Sequence, residues 1–395
     1  MTQSSYPSGA VNAEELPDIG IGIIGYGFMG KTHANAYVKI PHACVDVPVL
    51  PKLVAVCGRN ADKASKMARG FRCTKVYTNW LELVSDADVS VVNVCSNNAA
   101  HFEQALGAIE AGKHVVCEKP LATSVEECYL LATAAKNSGI KALTAFNYRF
   151  VPAVRLAKSI IEGGRIGDVY HFRGRYLQQQ GHDPDEMIEN IGYARATGSG
   201  VMLGIGSHII DLARFLVGEP KTVGCISKTF LPQRRSRQGG TMPVTVDEAN
   251  AAIVEFENGA IGTIESSGMC TGRKNQNTFE VTGSKGSISF DLEDLNHLYV
   301  YLEDEQTEDV RGFSCVSVTE PSHPLSSGFL PRGHNIGWED GHLHCLAHFL
   351  RSVAHDKPIE PYGATFDDGY RVQVVMETMF RASARRQQLS VVYEL

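Results

Sequence analysis

The sequence lacks any apolar run that approaches the roughly 20 residues of a membrane-spanning helix. Its first 15 residues are polar and contain no apolar segment of the kind found in secretory signals. Among its ten cysteines there is no Cys-x-x-Cys pair, and several, such as Cys57 and Cys117, lie within apolar stretches. A thiol in that setting behaves as a small apolar side chain in a reducing compartment. We therefore expect a cytoplasmic protein with neither a membrane partner nor a disulfide framework.

Clustered positive charge is also scarce. The chain has 37 basic and 44 acidic side chains, which gives a formal net charge of −7. Binding to nucleic acid needs grouped cations that displace counterions from phosphates. The basic run at 234–237, Arg-Arg-Ser-Arg, is short and stands beside two glycines, so it predicts a solvated loop. We expect no nucleic-acid partner.

Hydrophobic patterning divides the 395 residues into two parts, within the two or three domains expected at roughly 150 residues each. Over 18–150, short β-branched runs alternate with helical stretches, which predicts a doubly wound parallel sheet covered on both sides. Over 151–395, apolar and polar residues alternate, with hairpin signals at 257–259 and 283–286. This pattern predicts an α+β domain with a large open, mainly antiparallel sheet. Residues 1–17 form a polar N-terminal tail.

A glycine-rich turn follows the first predicted strand. Residues 25–30 read Gly-Tyr-Gly-Phe-Met-Gly and match G-x-G-x-x-G. The hexapeptide follows a buried strand and opens a helix, so it predicts an α/β Rossmann domain in which a dinucleotide pyrophosphate meets the helix N terminus. The predicted cofactor contacts in this turn are Gly25, Tyr26, Gly27, Phe28, Met29 and Gly30.

The end of the second predicted strand bears on the choice of cofactor. An acidic residue there would bind the ribose 2′-hydroxyl of NAD, but this chain has Gly58, Arg59 and Asn60. An arginine can pair with a 2′-phosphate, which favours NADP over NAD. An Arg59 side chain that only stacks on adenine would be compatible with either. We predict cofactor contacts at Arg59 and Asn60.

A second motif follows the fourth predicted strand, where residues 117–121 read Cys-Glu-Lys-Pro-Leu. Further segments accompany it in order: 30–33, 96–98 with His101, 146–149, and 200–211 around His208. On these motifs the chain resembles the glucose-fructose oxidoreductase, inositol dehydrogenase and MocA family of NAD(P)-dependent oxidoreductases. The resemblance implies a C-terminal open sheet that binds substrate and packs subunits into a homodimer or homotetramer. It also implies a cis Lys119–Pro120 bond.

The resemblance extends to the residues around the cofactor and the substrate. The remaining predicted cofactor contacts are Ser96, Asn97, His101, Glu118, Lys119 and Asn147. Aromatic faces and fixed hydrogen-bond donors suit a sugar ring, although scattered Tyr and Arg are just as often structural. The predicted substrate contacts are Tyr148, Arg149, Tyr176, His182, Arg195, His208, His334 and Trp338.

Oxidation of a secondary alcohol needs a base for the hydroxyl proton and a cation beside the oxygen that becomes charged. Lys119 suits the second role and can serve the first, because a partly dry pocket beside a cationic nicotinamide lowers its pKa. His208 can accept a proton near neutral pH. On the residues alone, Lys119 is as well explained as a loop lysine and His208 as a core histidine. With the resemblance, we predict both as catalytic residues.

The segment before His208 departs from the family pattern, which carries an aspartate four residues before this histidine. Gly204 occupies that position here. Three explanations stay open. Lys119 and His208 suffice without the acid, another acid replaces it, or the protein does not catalyse this reaction. The candidate acids are Asp183, Asp185 and Asp211, of which the last shares a helix face with His208 or simply holds that histidine in place.

A histidine cluster raises the question of a metal. His344 and His348 are four residues apart and can share a helix face, with His342 and Cys345 nearby. No acidic residue completes the set, so we expect no metal.

The leading hypothesis is an NAD(P)-dependent dehydrogenase that transfers a hydride between nicotinamide and a secondary hydroxyl of a sugar, anhydrosugar, glycoside or cyclitol. Segments 41–51 and 333–339 are similar to those of levoglucosan-type sugar dehydrogenases, which favours an anhydrosugar or a glycoside. A non-catalytic dinucleotide-sensing regulator is the first alternative, and Gly204 keeps it open. The second is an enzyme that holds its nicotinamide permanently, as a redox glycosidase or an internal sugar oxidoreductase.

Overall fold

The structure is a computed structural model that describes residues 16–44, 46–185, 198–237, 239–325 and 330–393. Nearly all of the predicted tail over 1–17, and the predicted substrate contact Arg195, lie outside the described residues. Within those ranges no helix is both long enough and apolar enough to cross a membrane. All ten cysteines are free thiols.

A parallel six-stranded sheet forms the N-terminal part of the molecule. Its strands are β1 (Asp18–Ile24), β2 (Leu50–Cys57), β3 (Lys75–Tyr77), β4 (Val91–Val94), β5 (His114–Cys117) and β6 (Ala142–Thr144). The accompanying helices are α1 (Phe28–Ala43), α2 (Ala61–Phe71), α3 (Trp80–Val84), α4 (His101–Glu110) and α5 (Val125–Ser138). The strand order β3-β2-β1-β4-β5-β6 is that of a Rossmann domain. Every residue of β4 is buried, as expected of a strand covered on both faces.

A nine-stranded sheet forms most of the remaining structure. The strands after β6 are β7 (Val169–Leu177), β8 (Pro220–Lys228), β9 (Gln233–Arg235), β10 (Thr241–Pro243), β11 (Ala249–Phe256), β12 (Ile261–Ser267), β13 (Gln276–Gly283), β14 (Gly286–Asp291), β15 (His297–Leu302), β16 (Ser314–Ser317) and β17 (Leu389–Ser390). The large sheet has the order β16-β15-β14-β13-β7-β12-β11-β8-β17, and β9 pairs with β10 separately. Its pairs are antiparallel except β7 with β12. This confirms the predicted α/β Rossmann domain followed by a mainly antiparallel sheet.

Helices cover one face of the large sheet and leave the other open. They are α6 (Pro152–Glu162), α7 (Ser207–Leu216) and α9 (Phe366–Arg385), and a π-helical turn over Met202–Gly206 leads into α7. The remaining helix, α8 (Asp340–Ala354), packs against α1 instead. In β11, Ala252 and Val254 are buried while Ala251 and Ile253 are exposed, so successive residues face opposite sides. The predicted domain boundary after residue 150 stays a prediction, with β6 before it and α6 after it.

The basic run at 234–237 is not the solvated loop that the sequence predicts. Arg234 lies in β9 and is only 1% exposed. One of its Nη atoms donates to Glu248 Oε1 at 2.7 Å, and the other donates to the Asp183 carbonyl at 3.1 Å. That prediction is wrong because a buried carboxylate, distant from the run in the sequence, pairs with the guanidinium and allows its burial.

Candidate active site

The three glycines of the predicted fingerprint have three different surroundings. Gly25 has a φ of +117°, and a Cβ added there would lie 2.3 Å from the Cys95 carbonyl oxygen. A Cβ on Gly30 would lie 2.0 Å from the Gly25 carbonyl oxygen, whereas one on Gly27 would meet nothing within 4 Å. Gly27 caps the N terminus of α1. Two glycines therefore allow a tight turn and close helix packing, and Gly27 leaves the helix N terminus open to a pyrophosphate.

The end of β2 is arranged around the aromatic ring of Tyr26. A Cβ on Gly58 would lie 2.3 Å from that ring, so a side chain there would displace it. Arg59 is exposed, and within the described part of the chain its side chain makes no hydrogen bond or ion pair. Asn60 caps α2, where its side-chain oxygen accepts from the Lys63 backbone N–H at 2.9 Å. Arg59 is thus available to a ligand, while the Asn60 side chain already has a structural partner.

The predicted cofactor contacts after β4 also have partners in the protein. Ser96 Oγ donates to Gln104 Oε1 at 2.7 Å, and Asn97 Oδ1 accepts from the Ala100 backbone N–H at 3.2 Å. His101 is fully buried, with Nδ1 2.8 Å from the Pro120 carbonyl oxygen. His101 therefore supports the turn that follows β5. Direct cofactor contacts by these residues stay predictions.

Lys119 lies in that turn, half-buried, and the Lys119–Pro120 bond is cis, as the resemblance implies. Its Nζ donates to the Gly204 carbonyl oxygen at 2.7 Å. Gly204 belongs to the π-helical turn before α7, a rare conformation that frequently marks functional sites. Burial lowers the pKa of Lys119, and the neighbouring Glu118 opposes this effect only in part. The lysine is therefore suited to exchange a proton.

His208 lies in the first turn of α7 and is 7% exposed. Its ring centroid is 4.6 Å from that of Tyr148 and 5.9 Å from that of Tyr176. Burial, together with the charges of Lys119 and His342, lowers the pKa of His208 well below its usual value. Its Nδ1 is buried without a hydrogen-bond partner among the residues described. The charge of Lys119 thus acts on a histidine that is kept neutral, the form that can accept a proton.

A chain of polar contacts runs along the aromatic wall beside His208. Trp338 Nε1 donates to the Tyr148 hydroxyl at 3.2 Å, and this hydroxyl is 2.8 Å from that of Tyr176. The Tyr176 hydroxyl donates to Asn275 Oδ1 at 2.7 Å, and Gln178 Nε2 donates to the same oxygen at 2.7 Å. These bonds fix three predicted substrate contacts in one wall. No motif or periodicity in the sequence indicated Asn275 or Gln178.

Trp338 also connects this wall to the glycine turn. Its ring stacks on Phe28, with centroids 5.7 Å apart and planes at 22°. Phe28 is 69% exposed even so. The predicted cofactor turn and the predicted substrate wall therefore meet at this aromatic pair.

Arg149 and Asp211 form a buried ion pair. Nε of Arg149 donates to Asp211 Oδ2 at 2.9 Å, and Nη2 donates to Asp211 Oδ1 at 2.6 Å and to Asp368 Oδ1 at 3.0 Å. Neither Arg149 nor Asp211 shares a hydrogen bond or ring contact with Lys119 or His208. Asp211 is thus bonded to Arg149 rather than to Lys119 or His208, and a substrate contact by Arg149 stays a prediction.

Two further predicted substrate contacts, His182 and His334, have hydrogen-bond partners of their own. His182 and His334 are exposed, with Nδ1 atoms 2.6 Å from the Gln179 carbonyl oxygen and 3.0 Å from the Pro331 carbonyl oxygen. Asp183 and Asp185 are exposed as well, and Asp183 Oδ1 accepts from the Asp185 backbone N–H at 2.9 Å. The described structure brings none of these four residues into contact with Lys119 or His208.

Behind Lys119 lies a buried cluster of Glu118, a predicted cofactor contact, with His33 and His342, to which sequence reasoning assigned no part in the site. His33 Nε2 is 2.9 Å from Glu118 Oε1, and one ring nitrogen each of His33 and His342 and one carboxylate oxygen of Glu118 lie within 4.8 Å of one another. Burial tends to raise the pKa of Glu118, but bonding to His33 outweighs it and lowers the pKa to about 2. Glu118 Oε2 also accepts from the Lys119 backbone N–H at 3.2 Å. The cluster therefore fixes the backbone at Lys119.

The histidines of α8 do not gather as a set of ligands. Burial lowers the pKa of His342 to about 3, and its Nε2 has no partner in the described structure. His348 Nε2 is instead 2.8 Å from the Ile359 carbonyl oxygen. The four-residue spacing of His344 and His348 could have indicated a shared helix face, but only the fold shows that His342 faces His33 and Glu118.

Comparison with known proteins accounts for this arrangement. The model of the oxidoreductase family with an NAD-binding Rossmann fold matches residues 19–146, and that of the GFO/IDH/MocA C-terminal domain matches residues 154–289. Levoglucosan dehydrogenase of Pseudarthrobacter phenanthrenivorans is 35% identical over 390 residues, 95% of this chain and 99% of that protein. Myo-inositol 2-dehydrogenase of Thermotoga maritima is 28% identical over 349 residues, 88% of this chain and 91% of that protein.

A solved structure gives the same result. Levoglucosan dehydrogenase in complex with NADH and levoglucosan matches this chain with a TM-score of 0.91 and 36% sequence identity, over 95% of this chain and 99% of that one. The two family models, the relative that aligns along nearly its whole length and the shared fold confirm the resemblance seen in the motifs. The chain belongs to the GFO/IDH/MocA family of NAD-binding oxidoreductases.

Proposed function

We propose that the protein is a cytoplasmic dehydrogenase that oxidises a secondary hydroxyl of a carbohydrate or cyclitol with a nicotinamide dinucleotide. The observation that carries this proposal is the placement of half-buried Lys119 and neutral His208 beside the aromatic wall of Tyr148, Tyr176 and Trp338. That wall adjoins the glycine turn through Phe28. A dinucleotide site and a proton-transfer pair therefore share one pocket, as the reaction requires.

The chain's own residues perform the acid–base part of this reaction. When bound, the nicotinamide supplies the acceptor for a hydride. Lys119 is held by the Gly204 carbonyl, and its ammonium can stabilise the negative charge that develops on the substrate oxygen. His208 is neutral at physiological pH and can take the hydroxyl proton. The aromatic wall can hold one face of a sugar ring.

An anhydrosugar or a glycoside is the proposed substrate class. The similarity to levoglucosan dehydrogenase over nearly the whole chain supports an anhydrosugar, and a D-glucoside 3-dehydrogenase of Escherichia coli is 29% identical over 254 residues. These relatives favour a dehydrogenase over a non-catalytic sensor or an enzyme with a permanently bound cofactor.

The direct test is reduction of added NAD, and separately of NADP, by the purified protein. The panel contains anhydrosugars, glycosides, aldoses and inositols, and dinucleotide binding is measured in parallel. We expect absorbance at the wavelength of the reduced cofactor to rise with at least one anhydrosugar or glycoside. Binding without turnover across the panel would favour the sensor. Dinucleotide that copurifies with the protein, with no net reduction of added cofactor, would favour an enzyme that holds its nicotinamide permanently.

The identity of the dinucleotide depends on Arg59. The family supports NAD, and we retain the sequence-based preference for NADP as a proposal, because Arg59 is exposed and unpaired in the described structure. Arg59→Asp should weaken NADP binding at least tenfold more than NAD binding, since it replaces a phosphate partner by a like charge. Titration of both dinucleotides by fluorescence measures this ratio. Equal losses would mean that Arg59 only stacks on adenine.

We also propose that the open face of the large sheet packs against a second copy of the chain. Ile226, Ile253 and Ile261 are 73%, 58% and 52% exposed, and strand register places them on one face of β8, β11 and β12. Such a patch favours association. Ile253→Asp should lower the molar mass found by light scattering, whereas Val310→Asp, at an exposed residue outside this face, should not. A monomeric wild type would contradict this proposal.

A further inference from the structure

The ammonium of Lys119 has no carboxylate partner among the residues that the structure describes. Its hydrogen bond is to the backbone carbonyl of Gly204, at 2.7 Å. The nearest acid in the sequence, Glu118, is bonded through its side chain to His33. Asp211 is paired with Arg149. The described part of the pocket therefore presents a cation that no carboxylate of the protein pairs with directly.

Gly204 leaves open space next to this cation. A Cβ added to Gly204 would meet no atom within 4 Å, although the carbonyl of the same residue is bonded to Lys119 Nζ. Gly204 is not among the residues with positive φ, so its backbone suits any side chain. The space is therefore a consequence of the missing side chain.

A negatively charged group is the occupant that best suits this space. The oxidised nicotinamide adds a second positive charge to the pocket, and His208 remains neutral because burial and Lys119 lower its pKa. A charge-assisted bond to a half-buried ammonium is roughly twice as strong as a neutral one. A neutral hydroxymethyl group in the same place would leave the ammonium without a counter-ion.

We propose that the space beside Gly204 is a subsite for a substrate carboxylate, so that the preferred substrates are sugar acids, hexuronic acids or their glycosides. The proposal rests on the dehydrogenase function proposed above. In the reaction, the hydroxyl carbon loses a hydride to the nicotinamide and the hydroxyl oxygen loses a proton to His208. The product is a ketone that keeps its carboxylate unchanged. The carboxylate holds Lys119 in its protonated form, which assigns the base to His208.

Matched substrate pairs test this subsite. Methyl glycosides of glucose, galactose and mannose are compared with the corresponding methyl uronosides, which differ from them only by a carboxylate at the terminal carbon. For at least one pair we expect kcat/KM to be about tenfold or more higher for the uronoside, the range of one charge-assisted bond. Equal or lower kcat/KM for the uronoside in every pair would overturn the proposal.

A carboxylate fixed to the protein should compete for the same space. Gly204→Asp should reverse the preference, so that kcat/KM falls for the uronoside relative to its neutral partner. Gly204→Ala adds a methyl without charge and should keep the sign of the preference. Gly70→Asp is the matched control, because Gly70 is exposed in α2 and its Cβ would also meet nothing within 4 Å. Equal losses on both substrates in Gly204→Asp would contradict a carboxylate subsite.

The outcomes separate the two proposals. Turnover of neutral sugars without any preference for uronosides would overturn the subsite and leave the dehydrogenase intact. Absence of reduction with every sugar and both dinucleotides would reject the dehydrogenase and the subsite together.

Discussion

Lys119→Ala should lower kcat by about 10³-fold, within the range of a positioned acid–base group. The reason is that its ammonium is the cation placed beside His208, and alanine leaves the substrate oxygen without that partner. Dinucleotide affinity should change by less than about threefold, because the glycine turn binds the pyrophosphate through backbone groups. Steady-state kinetics and dinucleotide titration on the same preparation measure the two effects separately.

Two controls accompany this prediction. Lys52→Ala removes a lysine whose exposed ion pair with Asp18 lies away from the pocket, and it should leave kcat unchanged. Lys119→Met keeps most of the length of the side chain without the charge and should lose as much activity as alanine. If Lys119→Ala retained full activity, the lysine would have no part in the mechanism.

Arg149→Met should lower the free energy of unfolding by about 3–5 kcal/mol, the cost of leaving a buried partner unpaired. Asp211 is 1% exposed and would lose the bonds that Nε and Nη2 of Arg149 provide. Chemical denaturation of the protein without dinucleotide measures the change. In contrast, Lys52→Met breaks an exposed pair with Asp18, so its effect should stay below about 1 kcal/mol.

The same variant distinguishes a structural role for Arg149 from the substrate contact that the sequence predicts. The structural role predicts a stability loss that Asp211→Leu, combined with Arg149→Met, partly recovers, because no unpaired charge is then buried. A raised KM with unchanged stability would instead support a direct contact with substrate.

Local patterns were sufficient for most of the fold. The strands and helices over 18–150 alternate in a pattern that depends on neighbouring residues, so sequence periodicity could identify them. The turn at Gly25, Gly27 and Gly30 is equally local and could be identified from its motif. The glycine fingerprint over 25–30 and the Glu118-Lys119-Pro120 motif each have a fixed spacing. These two motifs predicted where the pocket lies. His208 was found through the family resemblance rather than through periodicity.

Contacts between distant residues could not be predicted. Arg149 pairs with acids 62 and 219 positions away, and Trp338 stacks on Phe28 from the far end of the chain. No periodic signal records such pairs, because either partner alone resembles an ordinary polar or aromatic residue. The burial of Arg234 could not be predicted either, because it depends on pairing with Glu248, 14 positions along the chain.

Gly204 shows what the sequence can reveal about a site and what requires the structure. The sequence shows that a carboxylate is missing four residues before His208. Only the structure shows that the backbone carbonyl of the same residue binds Lys119 and that open space remains where a side chain would project. A departure from a motif can thus be recognised in the sequence, whereas its consequence depends on the local backbone.

The central claim is that the pocket around Lys119 and His208 transfers a hydride from a sugar carbon to nicotinamide. The most direct measurement uses sugars and uronosides deuterated at their ring carbons, with mass spectrometry of the dinucleotide after incubation with the protein. We predict reduced dinucleotide that carries deuterium, in amounts equal to the keto sugar formed. Bound dinucleotide that stays oxidised with every sugar, or that is reduced without deuterium, would contradict the claim.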